Sequence, residues 1–121
     1  MMSTSNRFKD ILANEINNRN KIYLYLEGNT WCAYERSAYF LFQLHTPICL
    51  HKYIICEGSN VALLKVMFKV SDMQLPLSAK ARLELVSDTD LRFGLKEMIG
   101  GFPEWKQQQL HVYYAEKAVR P

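Results

Sequence analysis

The sequence predicts a single α+β domain, residues 1–121, in which a mostly antiparallel sheet is packed by helices. Three observations carry this. The chain has 121 residues, 49% of them hydrophobic, which suits one domain with a real core. Several segments alternate apolar and polar residues with period two, and others place apolar residues at helical spacing. No repeat, low-complexity tract or linker divides the chain. The pattern predicts about four to six strands and helices over 6–17, 35–45 and 88–99.

The first helix is read from "STSNRFKDILANEINN", where Phe8, Ile11, Leu12 and Ile16 fall on one face. Ser3, Thr4 or Ser5 can cap it, and the Asn-rich run 17–20 ends it. "KIYLYLE" and "TWCAY" then read as two strands joined by Gly28-Asn29, a pair that tolerates the positive φ of primed hairpin turns. A two-residue loop pairs Glu27 with Thr30, Leu26 with Trp31, Tyr25 with Cys32 and Tyr23 with Tyr34. One face then carries Ile22, Leu24, Leu26, Trp31 and Ala33, a core row; the other carries Tyr23, Tyr25, Glu27, Thr30, Cys32 and Tyr34.

"ERSAYFLFQLH" reads as a second, largely buried helix, stopped by Pro47. "ICLHKYIIC" and "NVALLKVMFKV" read as a second hairpin around 57–59, with Ala62, Leu64, Val66, Phe68 and Val70 facing one way and Lys65 and Lys69 the other. "SDMQLPLS" is a loop and "AKARLELV" another strand. Ser87 and Asp90 fit an N-terminal capping pattern, so a third helix is expected to follow, with Leu91, Leu95, Met98 and Ile99 as its stripe and Gly100-Gly101 as its end. The segment from Pro103 fits either one helix or a helix followed by a strand at "LHVYYA".

Net charge is a mild +3, from 15 basic and 12 acidic side chains. The middle of the chain holds the excess: Arg36, Lys52, Lys65, Lys69, Lys80 and Arg82 against Glu57 and Asp72. No apolar run approaches the roughly 20 residues of a membrane span. "MMSTSNRFKD" lacks an apolar signal core, and three unpaired cysteines suit reduced thiols, so a cytoplasmic protein is expected.

Catalytic signatures are missing. No glycine precedes Lys-Ser or Lys-Thr as a phosphate loop requires, and no dinucleotide fingerprint occurs. His45, Cys49, His51 and Cys56 are the best metal-ligand candidates. Their spacing lacks close Cys pairs or helical His pairs, so neither a metal nor a cofactor is expected. The acids are scattered, and no Cys–His pairing has a local signature, so a non-enzymatic protein is expected.

One stretch resembles a known family. "LYLEGNTWCAYERSA" is similar to the start of the N-terminal mismatch-recognition domain of the MutS DNA-repair family, which has an aliphatic-aromatic strand, a Gly-led turn, an aromatic and a helix with an early Ala. The matching residues here are Gly28, Asn29, Thr30, Trp31, Cys32, Tyr34 and Ala38. The family's Phe-x-Glu reading pair falls on Thr30 and Cys32 and is absent as such. The resemblance implies a mixed α/β domain and a nucleic-acid partner. The start "YERSA", Tyr34 to Ala38, is also similar to that of small uncharacterised bacterial proteins.

The expected function is therefore that of a small bacterial accessory protein that binds DNA or RNA. Its expected contacts are Tyr23, Tyr25, Thr30, Lys52, Lys65 and Lys69, where aromatic rings stack on bases and lysines meet phosphates. The alternative is a protein-interaction module or homodimer using the tyrosine face with Tyr39, Phe40, Tyr113 and Tyr114.

Overall fold

Six strands form one antiparallel sheet in the order β3-β4-β2-β1-β6-β5. The elements are α1 (Ser3–Ile16), β1 (Lys21–Glu27), β2 (Thr30–Tyr34), α2 (Glu35–Gln43), β3 (His51–Glu57), β4 (Val61–Lys69), a 3-10 turn (Val70–Asp72), β5 (Ala81–Val86), β6 (Asp90–Leu95) and α3 (Phe102–Val119). The computed structural model describes residues 3–46, 48–57, 61–73 and 77–119, with side chains for 8–46, 48–55, 62–73 and 77–116. The side chains of the expected caps Ser3, Thr4 and Ser5, the stop at Pro47 and the hairpin turn after Glu57 lie outside what is described.

The first hairpin has the register read from the sequence: Tyr25 faces Cys32, Leu26 faces Trp31 and Glu27 faces Thr30. Only Gly28 of the turn pair takes positive φ, +65°, as in turns whose first central residue is glycine. The pleat then sorts side chains between two faces. The front face presents Ile22, Leu24, Trp31, Ala33, Leu64, Val66, Phe68, Leu91 and Phe93, all buried against Ala38, Phe40 and Leu41 of α2 and Phe102 of α3. The back face presents the tyrosines, and α1 crosses it with Ile11 packed among Tyr25, Cys32 and Tyr34.

The helix expected over 88–99 is not formed; this segment is a turn followed by β6, hydrogen-bonded between β1 and β5. The Ser87 hydroxyl does accept the Asp90 N–H (2.9 Å), as a cap would, but Ser87 N–H in turn donates to Asp90 O (2.9 Å) and closes a hairpin. Leu91, Phe93 and Leu95 also alternate with period two, and burial of all three on the front face decides for the strand. The segment from Pro103 is one helix, α3, without a terminal strand.

Two connections are tied by charge. β2 passes straight into α2 at Glu35, which takes left-handed backbone geometry (φ 51°). Its carboxylate accepts the Leu64 N–H of β4 (2.9 Å) just beyond the last β2–β4 pair, and Lys106 of α3 (2.6 Å). One side chain thus ends the ladder and holds α3 against it. Behind it, Glu15 of α1 is buried and accepts the Ser37 N–H of α2 (2.9 Å), Asn18 (3.2 Å) and the Ser37 hydroxyl. No helix of the described chain is long and apolar enough to cross a membrane.

Candidate nucleic-acid interface

The six residues expected to contact nucleic acid do not form one surface. Lys52 projects from the front face, where it donates to Gln109 of α3 and lies 5.6 Å from the Phe42 ring. The other five belong to the back face. There Tyr25 is only 5% exposed, under α1, and its hydroxyl accepts from Asn14 (2.9 Å). Burial pushes that phenol well above its ordinary range. A ring so placed has no face for a base. Cys32, one of the two positions matching the family reading pair, is fully buried beside it. Thr30 and Lys69 sit opposite each other at the hairpin end of the sheet.

Lys65 is engaged as well. Its ammonium donates to Glu27 (2.8 Å) and lies 5.2 Å from the Tyr34 ring, while the Tyr34 hydroxyl donates to the other Glu27 oxygen (2.5 Å). Burial would raise the Glu27 carboxyl; the hydrogen bonds from Lys65 and Tyr34 and the Lys65 charge outweigh it and hold the group below its ordinary range. These residues line a groove of about 1110 Å³ between α1 and the sheet. Among the described residues its ionic lining is Asp10, Glu27 and Asp90 against Lys65, an acidic excess.

Positive charge gathers at the opposite end of the strands. Lys21 of β1, Gly94 of β6 and Arg82 of β5 stand in one row across the sheet. Tyr23, Arg92 and Leu85 form the next row. The Lys96 N–H donates to Lys80 O (3.2 Å), and Leu95 N–H to Asn20 O (2.8 Å), which brings Lys80, Lys96 and Arg19 to the same corner. Six cations (Arg19, Lys21, Lys80, Arg82, Arg92, Lys96) and two surface acids, Glu84 and Glu97, therefore lie at this corner, with the buried Glu15 beneath it, linked through Asn18 to Lys21 O. Arg19, Lys80, Arg82 and Lys96 are exposed and carry no ion pair among the described residues. Of the expected contacts only Tyr23, half-buried, borders this corner.

Sequence reading misses this patch because its cations come from three separate segments, 19–21, 80–82 and 92–96. Lys80 and Arg82 belong to the basic middle stretch, but Arg92 and Lys96 fall within the helix expected over 88–99, and Arg19 and Lys21 lie far away in the chain. Placing "DLRFGL" as a strand beside β1 is the step that assembles them.

At the centre of the corner, Glu84 is the extra residue of a bulge in β5, between the pairs Leu83–Phe93 and Leu85–Arg92. Lys21 Nζ donates to both of its oxygens (2.7 and 2.8 Å), and Arg92 Nε donates to Oε1 (3.2 Å). The Lys21 hydrogen bond, with the charges of both cations, holds the carboxyl below its ordinary range.

Among the candidate metal ligands, Cys49 Sγ lies 3.8 Å from His51 Nε2 at an exposed position, and the Cys56 side chain is outside the described residues. No group of three potential ligands occurs among the described residues. Tyr39 and Phe40, expected in a protein interface, are instead core: both are buried, and Tyr39 donates its hydroxyl to Gly100 O (2.5 Å). Compared with known proteins, the chain matches no protein-family model, no curated protein and no solved structure.

Proposed function

We propose that this protein is a small non-enzymatic nucleic-acid-binding domain that holds the phosphate backbone of a single strand at its basic corner. The observation that carries this reading is the concentration of six cations against two surface acids at one end of β1, β6 and β5. Four of those cations are exposed and unpaired among the described residues. Phosphate contacts of this kind are independent of sequence, salt-sensitive and weak individually. Tyr23 at the rim offers one aromatic edge beside Arg92, its register partner, which favours unpaired bases over a closed duplex.

The test is fluorescence anisotropy with labelled single-stranded DNA, RNA and duplex, at low and physiological salt. The triple variant Lys80→Glu, Arg82→Glu, Lys96→Glu is expected to lose at least about tenfold in affinity at low salt and to flatten the salt dependence. Lys69→Glu, at the other end of the sheet, is expected to bind as the wild type does. Absence of saturable wild-type binding at low salt, or equal binding by the triple variant, overturns the proposal.

A second reading, a protein-interaction module or homodimer, rests on the outer half of α3. There Val112 is 54% and Tyr114 51% exposed, and the Tyr114 ring meets Tyr113 edge-on. A dimeric mass in light scattering that Val112→Glu converts to a monomer would favour it.

A further inference from the structure

The surroundings of Glu84 have the construction of an anion seat. The carboxylate lies on the back face over Gly94, and a Cβ built at that glycine would stand 2.1 Å from Glu84 Oε2. The floor is therefore bare backbone, a place where only glycine permits such close approach. The walls are cationic: Lys21 grips both carboxylate oxygens and Arg92 grips one. Arg82, the register partner of Gly94, stands on the same face without an ion pair among the described residues. The seat holds three cations and one anion, and its anion comes from an edge strand at a bulge, a position whose backbone can yield.

We propose that this is a phosphate seat which the protein's own Glu84 fills when no ligand is bound, and that a backbone phosphate of the nucleic acid displaces the carboxylate. The proposal rests on the nucleic-acid reading above for the source of the phosphate. The chemistry favours exchange. A backbone phosphodiester presents two anionic oxygens, the number that Lys21 and Arg92 already hold in Glu84, so it takes the carboxylate's place without loss of a partner, and its tetrahedral centre turns one of them toward Arg82, which the flat carboxylate leaves without an ion pair. The displaced Glu84 lies at the sheet edge beside water, where an ion pair holds weakly and rehydration of the freed carboxylate is easy. Glu84 thereby raises the threshold for binding and excludes weaker anions.

The experiment uses the full chain and two probes, a labelled single-stranded oligonucleotide and inorganic pyrophosphate. Oligonucleotide binding is read by anisotropy, and pyrophosphate binding by the NMR shift of the Gly94 amide. Glu84→Gln, which keeps the shape and removes the charge, is expected to tighten oligonucleotide binding about tenfold at low salt and to steepen the salt dependence by about one phosphate contact. It is also expected to move the Gly94 amide at lower pyrophosphate concentration than the wild type requires. Glu97→Gln makes the same change of net charge at the same corner, away from the seat, and is expected to shift affinity about twofold or less. Equal effects of the two variants, or a Gly94 amide that pyrophosphate leaves unmoved in Glu84→Gln, overturn the seat. A Gly94 amide that responds to pyrophosphate in a protein that binds no oligonucleotide upholds the seat and removes the nucleic-acid reading instead.

Discussion

The carboxylate of Glu15, near the end of α1, accepts the backbone N–H of Ser37 in the first turn of α2 at 2.9 Å, out of reach of solvent. This contact gives α1 a polar anchor to the rest of the protein, and it makes stability depend on pH. Burial raises the Glu15 carboxyl to about 7, against the hydrogen bonds from Ser37 and Asn18, which favour the ionised form. The unfolded chain ionises this group near its model value of 4.5. Between those values only the unfolded state loses its proton, so stability falls as pH rises from about 4.5 to about 7 and then levels. The loss is on the order of 3 kcal/mol at most. Urea midpoints of the wild type should drop across this window, and those of Glu15→Gln should stay flat.

Tyr25 and Lys65 should behave as structural residues. Tyr25→Phe removes only the hydroxyl that Asn14 meets, so it should cost about 1 kcal/mol and leave nucleic-acid affinity unchanged. Lys65→Met strips Glu27 of its cation at a partly exposed site and should also cost about 1 kcal/mol. Denaturation and anisotropy on the same preparations check both; a large affinity loss in either variant would return the contact surface to the tyrosine face.

Glu35 should matter more than its partner Lys106. Glu35→Ala leaves the buried Leu64 N–H without its acceptor and frees the Lys106 ammonium, a cost of about 2–3 kcal/mol. Lys106→Ala leaves the Leu64 contact intact and should cost about 1 kcal/mol. Comparing the two by thermal or urea unfolding measures how far Glu35 acts through the ladder end rather than through α3.

Gly101 has φ +100°, and a Cβ there would stand 2.7 Å from the Tyr39 hydroxyl that bonds Gly100 O. Gly101→Ala therefore combines backbone strain with a clash at the α3 entrance and should cost about 2 kcal/mol or more. Gly28→Ala meets nothing within 4 Å and has only the strain of φ +65°, so its cost should be smaller. The difference between their unfolding midpoints checks the argument.

Legible in the chain alone were the first hairpin, the helix that follows it from Glu35, and the division of β1 and β2 into an aliphatic core row and a tyrosine row. Those features follow from pleat parity and turn chemistry, which act over a few residues. Tertiary structure decided the rest. Leu91, Phe93 and Leu95 fit a strand and Leu91, Leu95 and Met98 fit a helix; the open edge of β1, with its unpaired donors and acceptors, selected the strand. That choice set Arg92 beside Tyr23 and Gly94 between Lys21 and Arg82, and so created the basic corner. The position of α1 decided the opposite point: by covering Tyr25 and Cys32 it turned a row that reads as a stacking surface into core. Local pattern fixes which side of a strand a residue takes, but only the packing of distant segments decides whether that side meets water.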